Sequence, residues 1–295
     1  MATGISVSGT SNFSTGQKIM VAAAMVAFEP SAPNPDLVDN KRIPVGHKQW
    51  DEVLYGRLSQ ASALTEGVDL SQVEQLVSTT TSITPTEHGI ICTLSKRLIR
   101  RQGDSDIVST AGRQIADSLR RRMDNDVIAL YDTISKSSPG AGNAMDITFV
   151  RAAVAYLLTD NDSNYGPAPM PLHAALHIEQ ISDIVEQVTD ASPRGTTTGF
   201  TDDLIRRWWK GRDKLYGVDI FHAGNITRDS DDDAKGAIFS PQFAVLCMAN
   251  EADVTEEPDK SARIVEYGIF QEWGEAERAD VWGVEIFSDC TTGLT

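Results

Sequence analysis

The sequence predicts an α+β fold in which one long helix and several extended strands follow an amino-terminal arm. Three observations support this prediction. Apolar residues recur at helical spacing over residues 104–134, segments rich in β-branched residues lie before and after this helix, and the first 50 residues are rich in Ser, Thr, Gly, Pro and Asn. With 295 residues, the chain is long enough for one elaborate domain or two modest ones.

The composition is that of a folded protein with an unevenly spread negative charge. Hydrophobic residues make up 41% of the chain and charged residues 23%, which argues against disorder over its whole length. The formal net charge is −16. Residues 96–122 contain eight basic and three acidic side chains, whereas residues 229–289 contain four basic and sixteen acidic ones. An acidic chain is poorly suited to tight, sequence-independent binding of nucleic acid, because such binding requires several phosphates to be neutralised.

The cysteines and the one apolar run near the amino terminus favour a reducing cytoplasm over secretion. Cys92, Cys247 and Cys290 are far apart and form no CxxC pair, which argues against a disulfide framework or a zinc site. Residues 19–28 are apolar, but a run of ten residues cannot cross a bilayer. The long segment before this run and the lack of a clean cleavage site favour a short helix or arm over a signal peptide.

Extended structure is predicted for most of the amino-terminal third of the chain. Residues 1–50 read as an arm, since their prolines exclude both a helix and a central strand. Residues 73–84 and 90–95 predict strands, separated by a turn over residues 85–89. With a further turn at Gly67, this ribbon has too little apolar surface to fold alone. We therefore expect the arm and the ribbon to become buried on neighbouring copies of the chain.

The long helix and the elements after it are predicted from periodicity and turn signals. Apolar side chains recur every three or four positions over residues 104–134, a helix of about 45 Å, and the Gly- and Pro-rich residues 137–143 end it. Further helices are expected over residues 146–158, 179–188 and 202–210, and strands over residues 171–177, 215–222, 237–248, 263–272 and 281–287.

The charges of the long helix are predicted to neutralise one another. Three oppositely charged pairs at a spacing of four residues lie mostly off its apolar side: Arg113–Asp117, Asp117–Arg121 and Arg120–Asp124. A fourth pair, Arg122 and Asp126, falls at the rim of the apolar side. We therefore expect replacement of Asp126 by Ala to be more harmful than replacement of Asp124 by Ala.

No catalytic, cofactor-binding or metal-binding residue is predicted, and no cofactor is expected. The sequence contains no HExxH, GxSxG, GxxxxGK(S/T) or GxGxxG motif. Two acidic stretches, residues 160–164 and 229–233, resemble the start of a calcium loop. Both lack the glycine and the glutamate that such a loop requires at its sixth and twelfth positions, and we interpret them as surface turns.

Two further patterns have a structural and a functional interpretation. His173 and His177 are four residues apart, but on a strand they lie too far apart for one zinc ion, and no third ligand is evident. Residues 206–212 mix arginine, lysine and tryptophan, as nucleic-acid surfaces do. We favour an amphipathic helix whose tryptophans are buried and whose arginines form its rim.

Three segments together resemble the major capsid proteins of tailed bacteriophages, which share the Hong Kong 97-type fold. The first, residues 84–99 (TPTEHGIICTLSKRLI), is similar to the part of that fold where the extended loop returns to the body. The second, residues 111–130, is similar to its spine helix. The third comprises residues 263–274 and 282–289, which are similar to its closing strands. The resemblance covers nearly the whole chain, and the order of the segments carries it more than any one motif does.

The resemblance implies a division of the chain into five parts. These are an amino-terminal arm (1–55), an extended loop (56–95), a peripheral domain with the spine helix (96–140), a mixed α/β axial domain (141–255), and closing long β-strands of the peripheral domain (256–295). Some members of the family carry a large scaffolding region before the arm; because the arm here starts at once, the resemblance implies that scaffolding comes from a separate protein or is dispensable. No residue supports covalent crosslinking between subunits.

The resemblance also implies a function. Copies of the chain would form hexamers and pentamers of an icosahedral shell, assembled in the host cytoplasm and forming the capsid of the virion. The shell would enclose double-stranded DNA without sequence-specific binding, with separate scaffolding, portal and decoration proteins as further candidate partners and no membrane. Two alternatives are a bacterial nanocompartment (encapsulin-like) shell protein and a soluble acidic enzyme with dispersed site residues.

Overall fold

The computed structural model describes residues 32–291, except for residues 191–213 and the positions 68, 70–72, 103, 161 and 163. The first elements are α1 (Asn34–Leu37), β1 (Asp39–Arg42), β2 (Trp50–Tyr55), β3 (Ser78–Ile83), β4 (Thr86–Ser95), α2 (Lys96–Gln102) and α3 (Asp104–Ala129). They are followed by β5 (Ser137–Ala144), α4 (Ile147–Leu158), β6 (Leu172–Leu176) and α5 (Ile178–Asp190). The last strands are β7 (Lys214–Leu215), β8 (Val218–His222), β9 (Asp233–Phe239), β10 (Ala244–Asp259), β11 (Ile264–Glu277) and β12 (Gly283–Asp289).

The strands in the described part of the chain form three sheets. One has the order β1-β10-β11-β4, with β1 parallel to β10 and the other neighbours antiparallel. A second has the order β5-β12-β9-β6-β8-β7. The third is the antiparallel pair β2-β3, which we call the ribbon together with the loop of residues 56–77 that joins its strands. The strand predicted over residues 73–84 thus contributes Ser78–Ile83 to this pair, but its partner lies at residues 50–55, within the predicted arm, and the strand predicted over residues 90–95 belongs to β4 of the four-stranded sheet.

The long helix α3 packs on the sheets through the side predicted from periodicity. Five of its apolar residues are buried: Ala111, Ile115, Leu119, Met123 and Val127. The α-helix ends at Ala129, five residues before the predicted end, because the chain tightens into a 3-10 turn over Leu130–Thr133. The helical part measures about 39 Å, and the 3-10 turn places Tyr131 in the core with no exposure.

Residues 137–143 follow the end of the long helix as predicted, but they also form a strand that was not predicted. They form most of β5, which pairs in parallel with β12 at the edge of the six-stranded sheet. An edge strand tolerates Pro139, which lacks the N–H needed inside a sheet, and also Gly140 and Gly142, which adopt positive φ. The Gly and Pro content that suggested a turn is therefore compatible with this strand.

Two further strand boundaries differ from the prediction. The expected strand over residues 237–248 is two strands, because a 3-10 turn at Pro241–Phe243 passes the chain from one sheet to the other. The turn expected over residues 85–89 is shorter, since β4 begins at Thr86. Gly89 of this strand lies beneath the ring of Phe270. A Cβ atom added at Gly89 would come within 2.2 Å of a carbon of that ring. The closing strands β11 and β12 belong to different sheets.

The main core lies between α3, the six-stranded sheet and the helices α4 and α5. The largest fully buried side chains are Trp273, Tyr131, Phe239 and Phe243. Gln180 on α5 is fully buried and donates to the backbone of β9 and β12, at Ala234 O (3.0 Å) and Ile286 O (3.2 Å). No helix among the described residues is long and apolar enough to cross a membrane. The helix predicted over residues 202–210 and the basic and aromatic residues 206–212 lie outside the described residues.

Candidate assembly surfaces

The ribbon exposes apolar side chains that its own fold leaves uncovered. Val73 is 87% exposed and Leu64 is 76% exposed, and Leu58, Leu76 and Val77 are also more than half exposed. Two strands with a single loop cannot enclose these side chains. An exposed apolar group of this kind, rimmed by polar residues, is typical of a protein–protein contact.

The ribbon is attached firmly to the body at the base of its loop. The Gly56 N–H donates to Val77 O at 2.8 Å, which closes the loop, and the Arg57 N–H donates to Asn164 O at 2.7 Å. The Arg57 guanidinium pairs with Asp160 at 2.6 Å, and Thr79 shares a 2.9 Å hydrogen bond with the Tyr165 hydroxyl. Asp160 and Asn164, at the two ends of the stretch that resembled a calcium loop, therefore both contact the base of the ribbon loop.

A buried arginine connects the ribbon to the four-stranded sheet. The Arg278 side chain is 7% exposed and pairs with Asp39 of β1 at 2.5 Å and with Glu52 of β2 at 2.9 Å. Burial by itself raises the pKa of Asp39, but hydrogen bonds from Arg278 and Lys41 outweigh it, so the pKa lies below its ordinary value. Glu52 also accepts a hydrogen bond from the Trp50 indole at 2.7 Å. One guanidinium thus joins three segments that are distant in sequence.

Asp124 of α3 is fully buried and holds the amino-terminal segment against the helix. Its carboxylate accepts from the backbone N–H of Asn34 (2.9 Å), from the Asn34 side chain (3.0 Å) and from the Asn225 side chain (2.9 Å). Asn34 in turn accepts from the Tyr131 hydroxyl at 2.8 Å. Burial raises the pKa of Asp124, and these hydrogen bonds oppose the increase only in part. The prediction that Asp124 pairs with Arg120 on the helix surface was wrong.

The other charged residues of α3 have mixed roles. Arg120 donates to the backbone of Ala32 (3.1 Å) and pairs with Asp36 (2.6 Å), so it fixes the amino-terminal segment. The predicted pair of Arg122 and Asp126 is confirmed at 2.9 Å. Asp126 also accepts from the Trp273 indole at 3.1 Å, and the Trp273 ring stacks on His88 at 4.1 Å.

The described residues provide little that could support catalysis. Burial raises the pKa of the Cys247 and Cys290 thiols to about 12, so both are protonated and unreactive near neutral pH. No group of three or more His, Cys, Asp and Glu side chains that could hold a metal is found within residues 32–291 where they are described. His173 lies within β6, with its ring edge against Phe221, and His177 follows the end of that strand.

One polar cavity of about 440 Å³ lies between the end of α3 and the acidic stretch at residues 229–233. Its charged lining residues include Asp132, Asp229 and Lys235. Lys235 contacts the carboxylate of Asp132 and lies 3.8 Å from Glu285. Asp229 is occupied within its own turn, where it accepts from the backbone N–H groups of Asp231 and Asp233 at 2.9 Å. The prediction that this stretch is a surface turn agrees with these contacts.

Sequence reasoning missed the residues that join distant segments: Asn34, Asp39, Glu52, Asn225 and Arg278. Each looks in sequence like an ordinary polar residue at the end of a strand, a short helix or a loop. Their roles arise from contacts between residues that lie at least 90 positions apart in the sequence. Local spacing carries no signal for such contacts.

Comparison with known proteins relates this arrangement to phage capsids. The chain is similar to a capsid structure of Helicobacter pylori bacteriophage KHP30, with a TM-score of 0.68, 10% identity and coverage of 88% of this chain and 92% of that one. It is also similar to the capsid of Ralstonia phage GP4, with a TM-score of 0.66, 11% identity and 88% coverage of both chains. For the capsid of the cyanophage P-SCSP1u, the TM-score is 0.62, the identity 14% and the coverage 90% of both chains. No family model and no curated protein sequence matches the chain.

These similarities extend over most of each chain and therefore concern the complete fold rather than one motif. The chain has the fold of the proteins that form these phage capsids, and the α+β fold predicted from the sequence is confirmed. At 10–14% identity, the likeness establishes the fold but leaves the function to be argued from the surfaces.

Proposed function

We propose that this chain is the major capsid protein of a tailed bacteriophage, a structural subunit that assembles with copies of itself into an icosahedral shell. The observation that carries this proposal is the ribbon. It is anchored to the body at its base, yet it exposes Leu58, Leu64, Val73, Leu76 and Val77. Within a fold shared with phage capsid subunits, such a ribbon has its natural partner in a neighbouring copy.

The finer features of the proposal follow from the same resemblance. Hexamers and pentamers of the chain would tile the shell, and the shell would enclose double-stranded DNA and become the virion capsid after assembly in the host cytoplasm. The division into arm, extended loop, peripheral domain, axial domain and closing strands is part of this proposal. Separate scaffolding, portal and decoration proteins are its candidate partners.

The surface charge of the chain supports a shell that surrounds DNA without adhering to it. The whole chain has a formal charge of −16. Arg120, in the most basic segment of the sequence, is engaged with Ala32 and Asp36 of the amino-terminal segment. A wall of such acidic subunits would allow DNA to pack against it without being immobilised.

The experiment that tests the proposal is purification of the full-length chain, followed by analytical ultracentrifugation and negative-stain electron microscopy. We expect closed shells or ring-shaped oligomers of the size of capsid building blocks. A monodisperse monomer at every concentration would overturn the proposal. Nuclease-protected double-stranded DNA inside particles purified from phage-producing cells is expected for a phage capsid, whereas protein cargo without DNA would indicate a nanocompartment.

A further inference from the structure

The four-stranded sheet has a negatively charged edge that lies beyond the reach of β1. β1 pairs with β10 only from Val245 to Met248, although β10 continues to Asp259. No strand in the described part of the chain pairs with residues 250–259 on that side. The side chains of Asp253, Glu256 and Glu257 on this edge are exposed.

The opposite edge of the same end of the sheet carries positive charge. β4 leads directly into α2, whose seven residues include four basic ones and no acidic one. Leu98 of α2 is fully buried in a cluster with Leu94 and Ala111, so the helix is held in place by the core. Its Arg97, Arg100 and Arg101 side chains are exposed.

These opposite charges belong to the same end of the sheet but lie at its two opposite edges. The register places Asp259, Ile264 and Ser95 side by side, and the Lys96 N–H donates to Arg263 O at 2.9 Å. β11 separates the two edges by two interstrand spacings, about 10 Å. Asp259 is engaged in its own turn, where it accepts hydrogen bonds from Ser261 and Ala262. The side chains of Asp253, Glu256 and Glu257 are exposed at the β10 edge, with Glu256 on the opposite face of the strand from the other two.

An apolar row crosses the same region. Val254, Ile269 and Ile90 are directly opposite one another on β10, β11 and β4. Val254 is 67% exposed and Ile90 is 38% exposed. Apolar residues bordered by exposed charges have the composition of a protein–protein contact.

We propose that this end of the four-stranded sheet is a contact between copies of the chain, in which Asp253, Glu256 and Glu257 of one copy meet Arg97, Arg100 and Arg101 of the next. The inference rests on the proposed function and names residues that would join its subunits. A contact between two like edges would set carboxylates against carboxylates. The unlike edges therefore favour a head-to-tail arrangement, which closes into a ring when the rotation between copies divides a full turn evenly.

Charge reversal with rescue tests this contact in the full-length chain. One variant carries Glu256→Lys and Glu257→Lys, a second carries Arg97→Glu and Arg100→Glu, and a third carries all four substitutions. We expect each double variant to yield about tenfold fewer particles than the parent chain, because like charges then face each other. The fourfold variant is expected to recover most of the yield, because the charges are again opposite.

Matched controls separate this contact from a general effect of charge. Asp231→Lys and Arg151→Glu each reverse the charge of an exposed residue outside the proposed contact, as each test substitution does within it. Both are expected to leave the particle yield unchanged. Circular dichroism and thermal melting establish that each variant is folded.

The inference is overturned if both double variants assemble like the parent chain, if the controls lose particles to the same extent, or if the folded fourfold variant remains defective. Particle formation by the parent chain tests the proposed function separately. Normal assembly of the charge-reversed variants would thus refute the proposed contact without contradicting the proposed capsid function.

Discussion

At the scale of single residues, buried polar side chains hold together segments that are far apart in the sequence. Asp124 accepts three hydrogen bonds from amide N–H groups, two of them from Asn34. Arg278 connects β1, β2 and the end of β11 through two carboxylates. If one of these side chains is removed, its partners stay buried without a hydrogen bond or an opposite charge. This lowers the free energy of unfolding more than the loss of an exposed ion pair does.

Asp124→Ala is expected to lower the free energy of unfolding by about 3 kcal/mol, because buried amide donors lose their acceptor. Asp126→Ala removes a partly exposed ion pair and one hydrogen bond to Trp273, and about 1–2 kcal/mol is expected. This order reverses the one expected from the sequence. Denaturant unfolding of unassembled subunits measures both, with the exposed Asp231→Ala as a control. A larger loss for Asp126→Ala would contradict the burial of Asp124.

Arg278→Met is expected to lower the free energy of unfolding by about 3 kcal/mol near neutral pH, because Glu52 and Asp39 lose a buried cation and only Lys41 remains beside Asp39. The pKa of Asp39 is lowered in the folded chain, so its contribution to stability is present above its ordinary pKa and is lost as the pH falls through the lowered value. The difference between Arg278→Met and the parent chain should therefore narrow in acid.

Unfolding curves across a pH series measure this effect. Arg57→Met is the matched control, since its pair with Asp160 is exposed and is worth less than about 1 kcal/mol. A loss for Arg278→Met no larger than that of the control would show that Arg278 does not hold the ribbon in the way described.

At the scale of elements, the ribbon can be separated from the body that carries it. Replacing residues 59–75 with a short Gly-Ser linker keeps the Gly56–Val77 and Arg57–Asn164 backbone hydrogen bonds. We expect a soluble, folded subunit with an unchanged melting temperature, because the removed side chains that the structure describes are exposed, but no closed shells. Circular dichroism and electron microscopy provide the two measurements. Shells of normal size would show that the ribbon is not needed for assembly.

The elements that the sequence predicts well are those with a strong local period. The apolar side of α3 and the helix α4 follow the prediction closely, because repeated burial on one side produces a clear pattern. β5 was missed because Pro139 and two glycines resemble a loop, and only its edge position makes them acceptable. The acidic second half of β10 was missed for a related reason, since an exposed strand at a sheet edge shows little apolar alternation.

The candidate surfaces were predictable only in part. The need of the ribbon for a partner follows from its composition, because a ribbon of mainly polar residues lacks a core. Its anchor could not be predicted, since Arg278 lies more than 200 residues from Asp39 and Glu52 in the sequence. The pairing of Asp124 was predicted wrongly because helical spacing identifies possible neighbours on one helix but not the segment that covers it.

At the scale of the whole molecule, the acidic chain contains carboxyl groups whose burial opposes ionisation. Burial raises the pKa of Glu275, and the Asp126 carboxylate adds to the increase. Burial also raises the pKa of Glu277, and the nearby Asp280 adds to this increase, although a hydrogen bond from Thr133 opposes it. A folded pKa above the unfolded value means that stability falls as the pH rises between the two values.

Glu275→Gln combined with Glu277→Gln is therefore expected to stabilise the subunit at pH 7, because the folded chain no longer holds these two charges in buried positions. The difference in stability between this double variant and the parent chain should shrink as the pH falls below the raised pKa values, because the two carboxyl groups of the parent are then protonated. Thermal unfolding between acid and neutral pH measures the difference, and Glu66→Gln on the exposed loop is the control. An advantage that does not change with pH would exclude the titration of these two groups as its origin.

The length of β11 has a mechanical consequence for a closed shell. At about 3.3 Å per residue, its 14 residues measure about 46 Å, and from Ile264 to Trp273 it is hydrogen-bonded to strands on both sides. One end meets the charged contact proposed between copies, and the other leads into Arg278 at the root of the ribbon. In a shell assembled as proposed, a pull on the Ile264 end of β11, such as internal pressure would produce, would be transmitted as tension to the root of the ribbon. A weak root would make the shell yield there first, even if every contact between subunits remained intact.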